Sequence, residues 1–436
     1  MKPVKRLPQT APELLEEAEL HLKDAAGLSC RIYRIGPLSL IKWLRSQRME
    51  NRFYFAAREG DLEVAAVGIR AALKGRPSEG LAALWEKLNH PFFLPTLLPF
   101  EKNATAGEIW SGFPGFPFYL PELEVVRLRE RYYFVRLGEG SVSFAADFGL
   151  PAEKVVADYS VAWREITEEP NLNGWQTAVE EALKKIGQGE LKKMVLSRRW
   201  NFVTNGDFQP DWLLQKLGER REGYRFWFQP DAERVFWGNS PERLFKREGR
   251  RLYTEALAGT RGLEATERDR QALSRELAGN PKELAEHREV SRMIEKVLEE
   301  VCSGWECEFR EEVVKHISVL HLATRYRGKL QPDADDLAVL FRLHPTPAVA
   351  GMPVEKARKQ ISRIEKAPRG LYSGAVGVLG KERSEFAVAI RSALWQAGQM
   401  TLFGGAGIVA GSRAASEWEE TREKMKTILK IFTEEE

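Results

Sequence analysis

The run GELKKMVLSR, residues 189–198, passes from a glycine-bearing turn into an alternating segment. Lys193 and Val195 fall on one face of the extended chain, Met194 and Leu196 on the other. A lysine entering a buried strand is costly to leave charged, because desolvation lowers its pKa and fits it to act as a general base near neutral pH. The bland alternative stays open: the ammonium can snorkel from the strand end into water. From about Asn171 onward the same regime continues, with helices of 3.6-residue period between short β-branched strands and glycine turns. Val290, Met293, Ile294, Val297, Leu298 and Val301 form one helical stripe, and Trp418, Thr421, Met425, Ile428, Leu429 and Phe432 another.

Ahead of that region, the first 165 residues read as strand-rich α+β structure. Residues 11–25 have the pattern of a short amphipathic helix. Asn51–Ala57 and Leu62–Ile69 read as strands joined at the turn-forming Glu59-Gly60-Asp61. SGFPGFPFYLP, residues 111–121, reads as a loop that packs rings and not as a domain boundary. The division expected is 1–165, a strand-rich N-terminal part of a layered fold, and 166–436, the region that carries the chemistry.

The chain has 436 residues, beyond the roughly 250–300 at which single cores stop growing, so two subdomains or one large layered domain are expected. With 43% hydrophobic and 30% charged residues it has the makings of a sizeable core. Lysine and arginine number 66 against 63 acidic residues, a balance with no electrostatic footprint for nucleic acid. Its basic runs, such as Lys246-Arg247 and Arg250-Arg251, are flanked by acids. No apolar run reaches the roughly 18 residues of a membrane span, and the basic N-terminus leads into the acidic Glu13–Glu19 stretch, unlike a signal peptide; a cytoplasmic protein is expected. Cys30, Cys302 and Cys307 are too few for a disulfide framework and read as reduced structural thiols.

Two Glu-x-x-Glu pairs stand out, Glu283/Glu286 in PKELAEHREV and Glu417/Glu420 in SEWEETREKM. Residues three apart share a helix face. Four carboxylates meeting at one place repel unless a hard cation neutralises them, and an oxygen-only set favours Mg²⁺ over zinc. Alone, either pair is ordinary surface decoration; only a fold that brings the helices together makes a metal site. In RVFWGNS-PERL, Glu242 follows a proline between apolar residues and could be kept protonated as a general acid. It could equally sit in the first turn of a helix capped by Ser240. Glycine turns at 255–262, 371–377 and 403–411 offer backbone N–H groups to a carboxylate, with Tyr372 and Arg391 as further donors. None has the spacing of a nucleotide phosphate loop.

Taken in order, KKMVLSR, NSPERLF, TEALAGTRG, KELAEH, LHLAT, HPTPAVAG, LYSGAVG, FAVAIRSA, GGAGIVAGS and EWEETREK resemble the successive motifs of the chorismate-utilising enzymes, from about Trp175 to the C-terminus. The resemblance implies an anthranilate-synthase-like α/β (α+β) layered fold: two large, mostly antiparallel sheets packed face to face, helices outside, and the site between them. Carried over by position, Lys193 is implied as the water-activating base and Glu242 as the acid. Glu286 and Glu420 are implied as direct Mg²⁺ ligands, with Glu283 and Glu417 acting through water. Tyr372, Arg391, Lys424, His321, Ala258, Gly259, Thr260 and the backbone at Gly405, Ala406 and Gly407 are implied as substrate contacts; His316 and His344 are left structural. Ala256-Leu257-Ala258-Gly259-Thr260 lacks the nucleophilic lysine of aminodeoxychorismate synthases, and Lys193 is absent from most anthranilate synthases. HPTPAVAG, residues 344–351, resembles isochorismate synthases more than salicylate synthases, which also expel pyruvate, and the long N-terminal third with the motif set resembles the menaquinone type; salicylate synthases and siderophore-pathway isochorismate synthases are the alternatives. A degenerate family member acting as a binding scaffold would have lost one of these groups. Implied too are a monomer or weak homo-oligomer, and no glutamine amidotransferase subunit.

Overall fold

Alternation in the strand Arg52–Ala56 shows how the layers arise. Phe53 and Phe55 enter one buried cluster, while Tyr54 and Ala56 enter another on the opposite face. The computed structural model describes residues 15–23, 29–73, 92–101, 108–113, 118–137, 162–205, 208–262, 267–316 and 319–433. Among these, a 13-stranded sheet runs from Leu15–Lys23 at one edge to Ala162–Glu169 at the other, and a nine-stranded sheet runs from Cys302–His316 to Ala71–Leu73. The first cluster joins the facing sides of the two sheets, through Phe53, Phe226 and Phe236 of the larger and Phe245, Val376 and Phe386 of the smaller. On the outer face of the larger sheet, Tyr54, Trp227, Trp237 and Leu402 pack with the helices Leu40–Ser46, Pro210–Glu219 and Ala414–Thr433. The expected layered α/β fold of two large antiparallel sheets is the one observed.

The helical stripes land as their spacing predicts. Val290, Ile294, Val297, Leu298 and Val301 of helix Pro281–Val301 are buried in the main core. Trp418, Thr421, Met425 and Ile428 of helix Ala414–Thr433 are buried as well. Each large apolar side chain so buried contributes about 1.5–3 kcal/mol relative to exposure, so the stripes fix which way the polar edges of these helices face. The side chain of Phe432 lies outside the described residues. No described helix is long and apolar enough to cross a membrane.

Two local expectations are corrected. Within 11–25, the described residues Leu15–Lys23 form a strand paired antiparallel with Ser29–Ile35, not a helix. The segment LEEAELHLK satisfies both periods: Leu15, Ala18 and Leu22 suit a helix, whereas Ala18, Leu20 and Leu22 suit a strand. The neighbouring strand's unpaired edge decides between them. In 111–121, residues 114–117 lie outside the described set, and Phe118–Leu120 is a strand pairing with Ala71–Leu73. Ring packing there is real: Trp110 meets Phe113 edge-on, with centroids 5.5 Å apart.

The segment before residue 165 is woven into both sheets. Arg52–Ala56 pairs with Tyr224–Asp231 in the larger sheet, and Phe93–Leu98 with Ala375–Gly380 in the smaller.

Candidate active site

Two of the chain's crossings between the sheets lie side by side, and both carry chemistry. Strand Arg234–Ser240 belongs to the larger sheet and strand Arg243–Glu248 to the smaller, so Glu242 sits in the step between them. Strand Arg383–Val388 belongs to the smaller sheet and Ser392–Gln396 to the larger, which puts Arg391 in the return step. The crossings hold each other: Val388 N–H donates to Glu242 O at 3.1 Å, and Asn239 N–H to Arg391 O at 3.0 Å. Arg391 has φ 49°, a left-handed conformation that costs a non-glycine residue about 1–3 kcal/mol and persists only where its surroundings impose it. The alternative in which Ser240 caps a helix is corrected, since a strand follows. The Ser240 hydroxyl nevertheless accepts the Glu242 N–H at 3.2 Å, fixing the turn itself.

Glu242 is 9% exposed. Burial, reinforced by the neighbouring Glu255 charge and opposed by Lys193, Lys424 and Arg391, pushes its carboxyl up to about 7. Arg391 is moved the other way: desolvation brings its guanidinium down to about 10, still cationic at neutral pH. Its side chain makes no hydrogen bond or ion pair among the described residues, so the planar fork remains available to a ligand carboxylate.

Lys193 faces these groups from the long strand Lys193–Asn205. It and Val195 line the cavity, while Met194 and Leu196 are buried in the core, as alternation requires. The partner strand Gln399–Val409 places Gly407 opposite Val195 and Gly405 opposite Ser197. Both glycines stand where a neighbour approaches closely. A Cβ on Gly407 would lie 2.6 Å from Lys193 Cε, and one on Gly405 2.9 Å from the Tyr372 hydroxyl. Because the lysine tip is flexible, Gly407→Ala should leave the fold and melting temperature nearly unchanged. It should nonetheless lower kcat about tenfold or more by displacing the ammonium, checked by steady-state kinetics beside a thermal melt.

Around one cavity of about 160 Å³ stand Lys193, Glu242, Gly259, Glu283, Glu286, His321, Tyr372, Arg391, Gly405, Gly407, Glu417, Glu420 and Lys424. The fold thus brings the two Glu-x-x-Glu helices to one place. Lys193 Nζ donates to Glu286 Oε2 at 2.9 Å, and Lys424 Nζ to Glu420 Oε1 at 2.6 Å and to Gly405 O at 2.9 Å. Glu417 is buried, whereas the Glu420 side chain is half-exposed. Gly259 has φ 60°, and a Cβ there would sit 2.9 Å from Glu283 Oε2. His321 Nδ1 lies 3.0 Å from Gly259 O; since a carbonyl only accepts, the proton belongs on Nδ1. Tyr372 stacks on Phe403 with centroids 5.1 Å apart, and burial raises its phenol. Ala406 is fully buried and does not line the cavity. Ala258 and Thr260 are placed only by backbone, opposite Leu322 and His321; their side chains, like that of His316, lie outside the described residues. His344 is half-buried, and desolvation takes it down to about 4, which suits a structural, neutral imidazole.

The trio Glu59, Asp61 and Glu385 is the one set of carboxylates whose oxygens all lie within 4.8 Å among the described residues. It is already neutralised by Arg243, Arg383 and Lys246. Glu283, Glu286, Glu417 and Glu420 are the carboxylates that open onto the cavity, an oxygen-only set of the kind a hard divalent cation takes, although no three of them bring their oxygens within 4.8 Å of one another.

Sequence reasoning missed the apolar wall of Leu257, Ala348, Val349, Ile390 and Phe403. It also missed Arg369, whose buried guanidinium donates to Val195 O at 2.7 Å and to Val349 O at 2.8 Å behind the Lys193 strand. HPTPAVAG carried a signal for part of this: it leads through Ala348 and Val349 into Gly351–Met352, which pairs with Lys193 and Met194. On the same strand, Arg198 donates to Thr421 Oγ1 at 3.0 Å and lies over Trp418, tying the helix of Glu417 and Glu420 to the strand of Lys193.

A carboxyl poised near neutrality, a lysine, a guanidinium and four glutamates, closed between two antiparallel sheets, define an enzyme site for acid–base chemistry on a small anionic molecule. Residues 13–433 match the chorismate binding enzyme family. Isochorismate synthase MenF of Bacillus subtilis is 30% identical over 92% of both chains. The chloroplastic isochorismate synthase of Catharanthus roseus is 36% identical over 60% of this chain, a match spanning 46% of that protein's length. The solved structure of MenF, described as the menaquinone-specific isochorismate synthase from Escherichia coli, superposes with a TM-score of 0.80 at 27% identity, covering 95% of this chain and 96% of that one. The chain belongs to the chorismate-binding enzyme family.

Proposed function

We propose that the protein is an isochorismate synthase serving menaquinone synthesis, adding water at C2 of chorismate and releasing the C4 hydroxyl. The observation that carries this reading is the placement of Lys193 and Glu242 on one cavity, the lysine from the larger sheet and the acid from the step between the sheets. Lys193, once neutral, takes a proton from water as the water oxygen bonds to C2. The ring double bonds shift, and the C4–O bond breaks as Glu242 delivers its proton to the departing hydroxyl. One water enters and one leaves, so the product is an isomer; proton exchange with solvent restores both side chains.

Arg391 and Tyr372 are suited to the substrate carboxylates, with the Gly405–Gly407 backbone and Lys424 beside them, and His321 with the irregular 258–260 stretch of strand Arg251–Gly262 closes the ring side. Glu286 and Glu420 would hold Mg²⁺, with Glu283 and Glu417 around its waters. The ion would supply positive charge for a substrate carboxylate and for developing negative charge. Charge balance supports this assignment: four metal-set carboxylates against Lys193, Arg391 and Lys424 leave the cavity negative before a dianionic substrate arrives. Glu286→Gln and Glu420→Gln should each raise the Mg²⁺ concentration for half-maximal activity at least about tenfold. An unchanged metal titration would remove these residues from the metal set.

The reading needs no ammonia-delivering partner subunit, and cytoplasmic residence belongs to it. It is tested by incubating the protein with chorismate, with and without Mg²⁺, and separating the products. Magnesium-dependent isochorismate without pyruvate is expected; salicylate with an equivalent of pyruvate would reassign the chain to the salicylate synthases, and no turnover would favour a scaffold.

A further inference from the structure

The N-terminal third supplies one side chain that reaches the proton donor's turn. Arg58 follows strand Arg52–Ala56, and its side chain is 8% exposed. Its Nη1 donates to the Pro241 carbonyl at 3.0 Å, one peptide before Glu242. The same guanidinium forms a two-pronged pair with Glu255, Nη1 to Oε1 at 2.5 Å and Nη2 to Oε2 at 2.7 Å. Glu255 stands on strand Arg251–Gly262 with its side chain 2% exposed. Arg325 lies 3.7 Å from its other edge, and Arg58 also sits over the Tyr224 ring.

We infer that Arg58 is a positioning residue for Glu242, clamping the Pro241 carbonyl and compensating the buried Glu255 carboxylate behind the donor, so that the N-terminal part sets the aim and proton affinity of the acid. Three independent bonds then fix the backbone of the turn: Arg58 on Pro241 O, Ser240 on Glu242 N–H, and Val388 N–H on Glu242 O. Of these only the first comes from a charged side chain, and only it is coupled to a charge near the donor. A planar guanidinium can grip a carboxylate by two bonds and a carbonyl by a third, whereas an ammonium cannot hold that geometry.

The charges that act most on Glu242 are Glu255 from strand Arg251–Gly262, Lys193 from its strand, Lys424 from the C-terminal helix and Arg391 from the return crossing, with Glu283, Glu286, Glu417 and Glu420 on the same cavity; Arg58 acts through Glu255, whose charge it compensates. Arg58 and Glu255 can be altered without touching the others. Removing Glu255's negative charge makes the Glu242 proton easier to lose, and removing the Arg58 cation makes it harder.

The inference rests on Glu242 being the proton donor, and the test separates the two claims. Arg58→Lys, Arg58→Met, Glu255→Gln and the double variant Arg58→Met/Glu255→Gln are compared with wild type and Glu242→Gln in Mg²⁺-saturated chorismate turnover across pH. The double variant guards against a fold lost to an unpaired buried charge, and thermal melts report folding. Expected is a fall in kcat of about ten- to a hundredfold in the double variant, with KM for chorismate within a few-fold and partial rescue in Arg58→Lys. The alkaline limb of kcat/KM should move to lower pH in Glu255→Gln and to higher pH in Arg58→Met. A folded double variant with wild-type kcat, or limbs that do not move, overturns the role of Arg58 while leaving the donor assignment intact. Turnover surviving in Glu242→Gln overturns both.

Discussion

Lys193→Ala should lower turnover of chorismate by about a hundred- to ten-thousandfold, the range expected when a general base is removed. The loss should fall on kcat, with substrate binding and folding little changed. The side chain emerges at the end of a strand whose opposite face, Met194 and Leu196, carries the packing, so truncation removes a polar tip and leaves the core alone. Glu286, to which its ammonium donates, gains freedom and remains beside the cavity. Mg²⁺-dependent thermal stabilisation by chorismate should therefore persist in the variant. Survival of most activity would discard Lys193 as the base; a large drop in melting temperature would show a structural role in its place.

Glu242→Gln should be as damaging, again by about a hundred- to ten-thousandfold in kcat, because the amide keeps the shape and donates no acid proton. The wild-type pH profile carries the same information. Burial raises the Glu242 carboxyl to about 7, so the donor is present below that pH and lost as pH rises through it. On this account kcat/KM falls along an alkaline limb near 7, roughly tenfold per unit beyond it. The sign of the stability effect agrees: ionising a buried acid opposes folding, so Glu242 costs the fold nothing at pH below the ordinary carboxylate range and progressively more as pH rises through about 7. Glu242→Gln should flatten that part of the stability profile in a series of melts. A profile that keeps its limb in an active Glu242→Gln variant would assign the titration to another group.

Features carried by local periodicity were legible in the sequence. The spacing of Glu283 with Glu286 and of Glu417 with Glu420, beside stripes beginning at Val290 and Trp418, predicts which helix edges face inward, and the cavity contains all four carboxylates. Alternation around Lys193 likewise predicts its face. Features made by pairing between distant segments were not legible. Glu242 and Arg391 owe their meeting to two crossings between sheets, and Ser-Pro-Glu reads equally well as the start of a helix until its following strand is seen pairing with Arg383–Val388. Arg58 reaches Glu255 across 197 positions, and nothing near either residue announces the other. The segment Leu15–Lys23 fits two periods at once, and only its partner strand chooses. Arg369, gripping two carbonyls under the cavity, looks like any arginine in a turn.

The site links these layers to chemistry by holding opposite tendencies a short distance apart. Desolvation keeps one carboxyl protonated near neutrality, while four others on helix edges face the same cavity, and a guanidinium in a left-handed turn keeps its fork open. Packing sets all three, since the stripe of each helix and the paired crossings decide where the polar atoms stop.

The central claim, that water attacks C2 under Lys193 while the C4 hydroxyl leaves under Glu242, is tested most directly by running the Mg²⁺-supplemented reaction in ¹⁸O-enriched water and reading the product by mass spectrometry. The account predicts isochorismate carrying one solvent oxygen, located in the C2 hydroxyl, with none entering unreacted chorismate in the Lys193→Ala variant. Isochorismate that retains the original chorismate oxygen would contradict it, because the hydroxyl would then have migrated within the substrate and neither side chain would have the role assigned here.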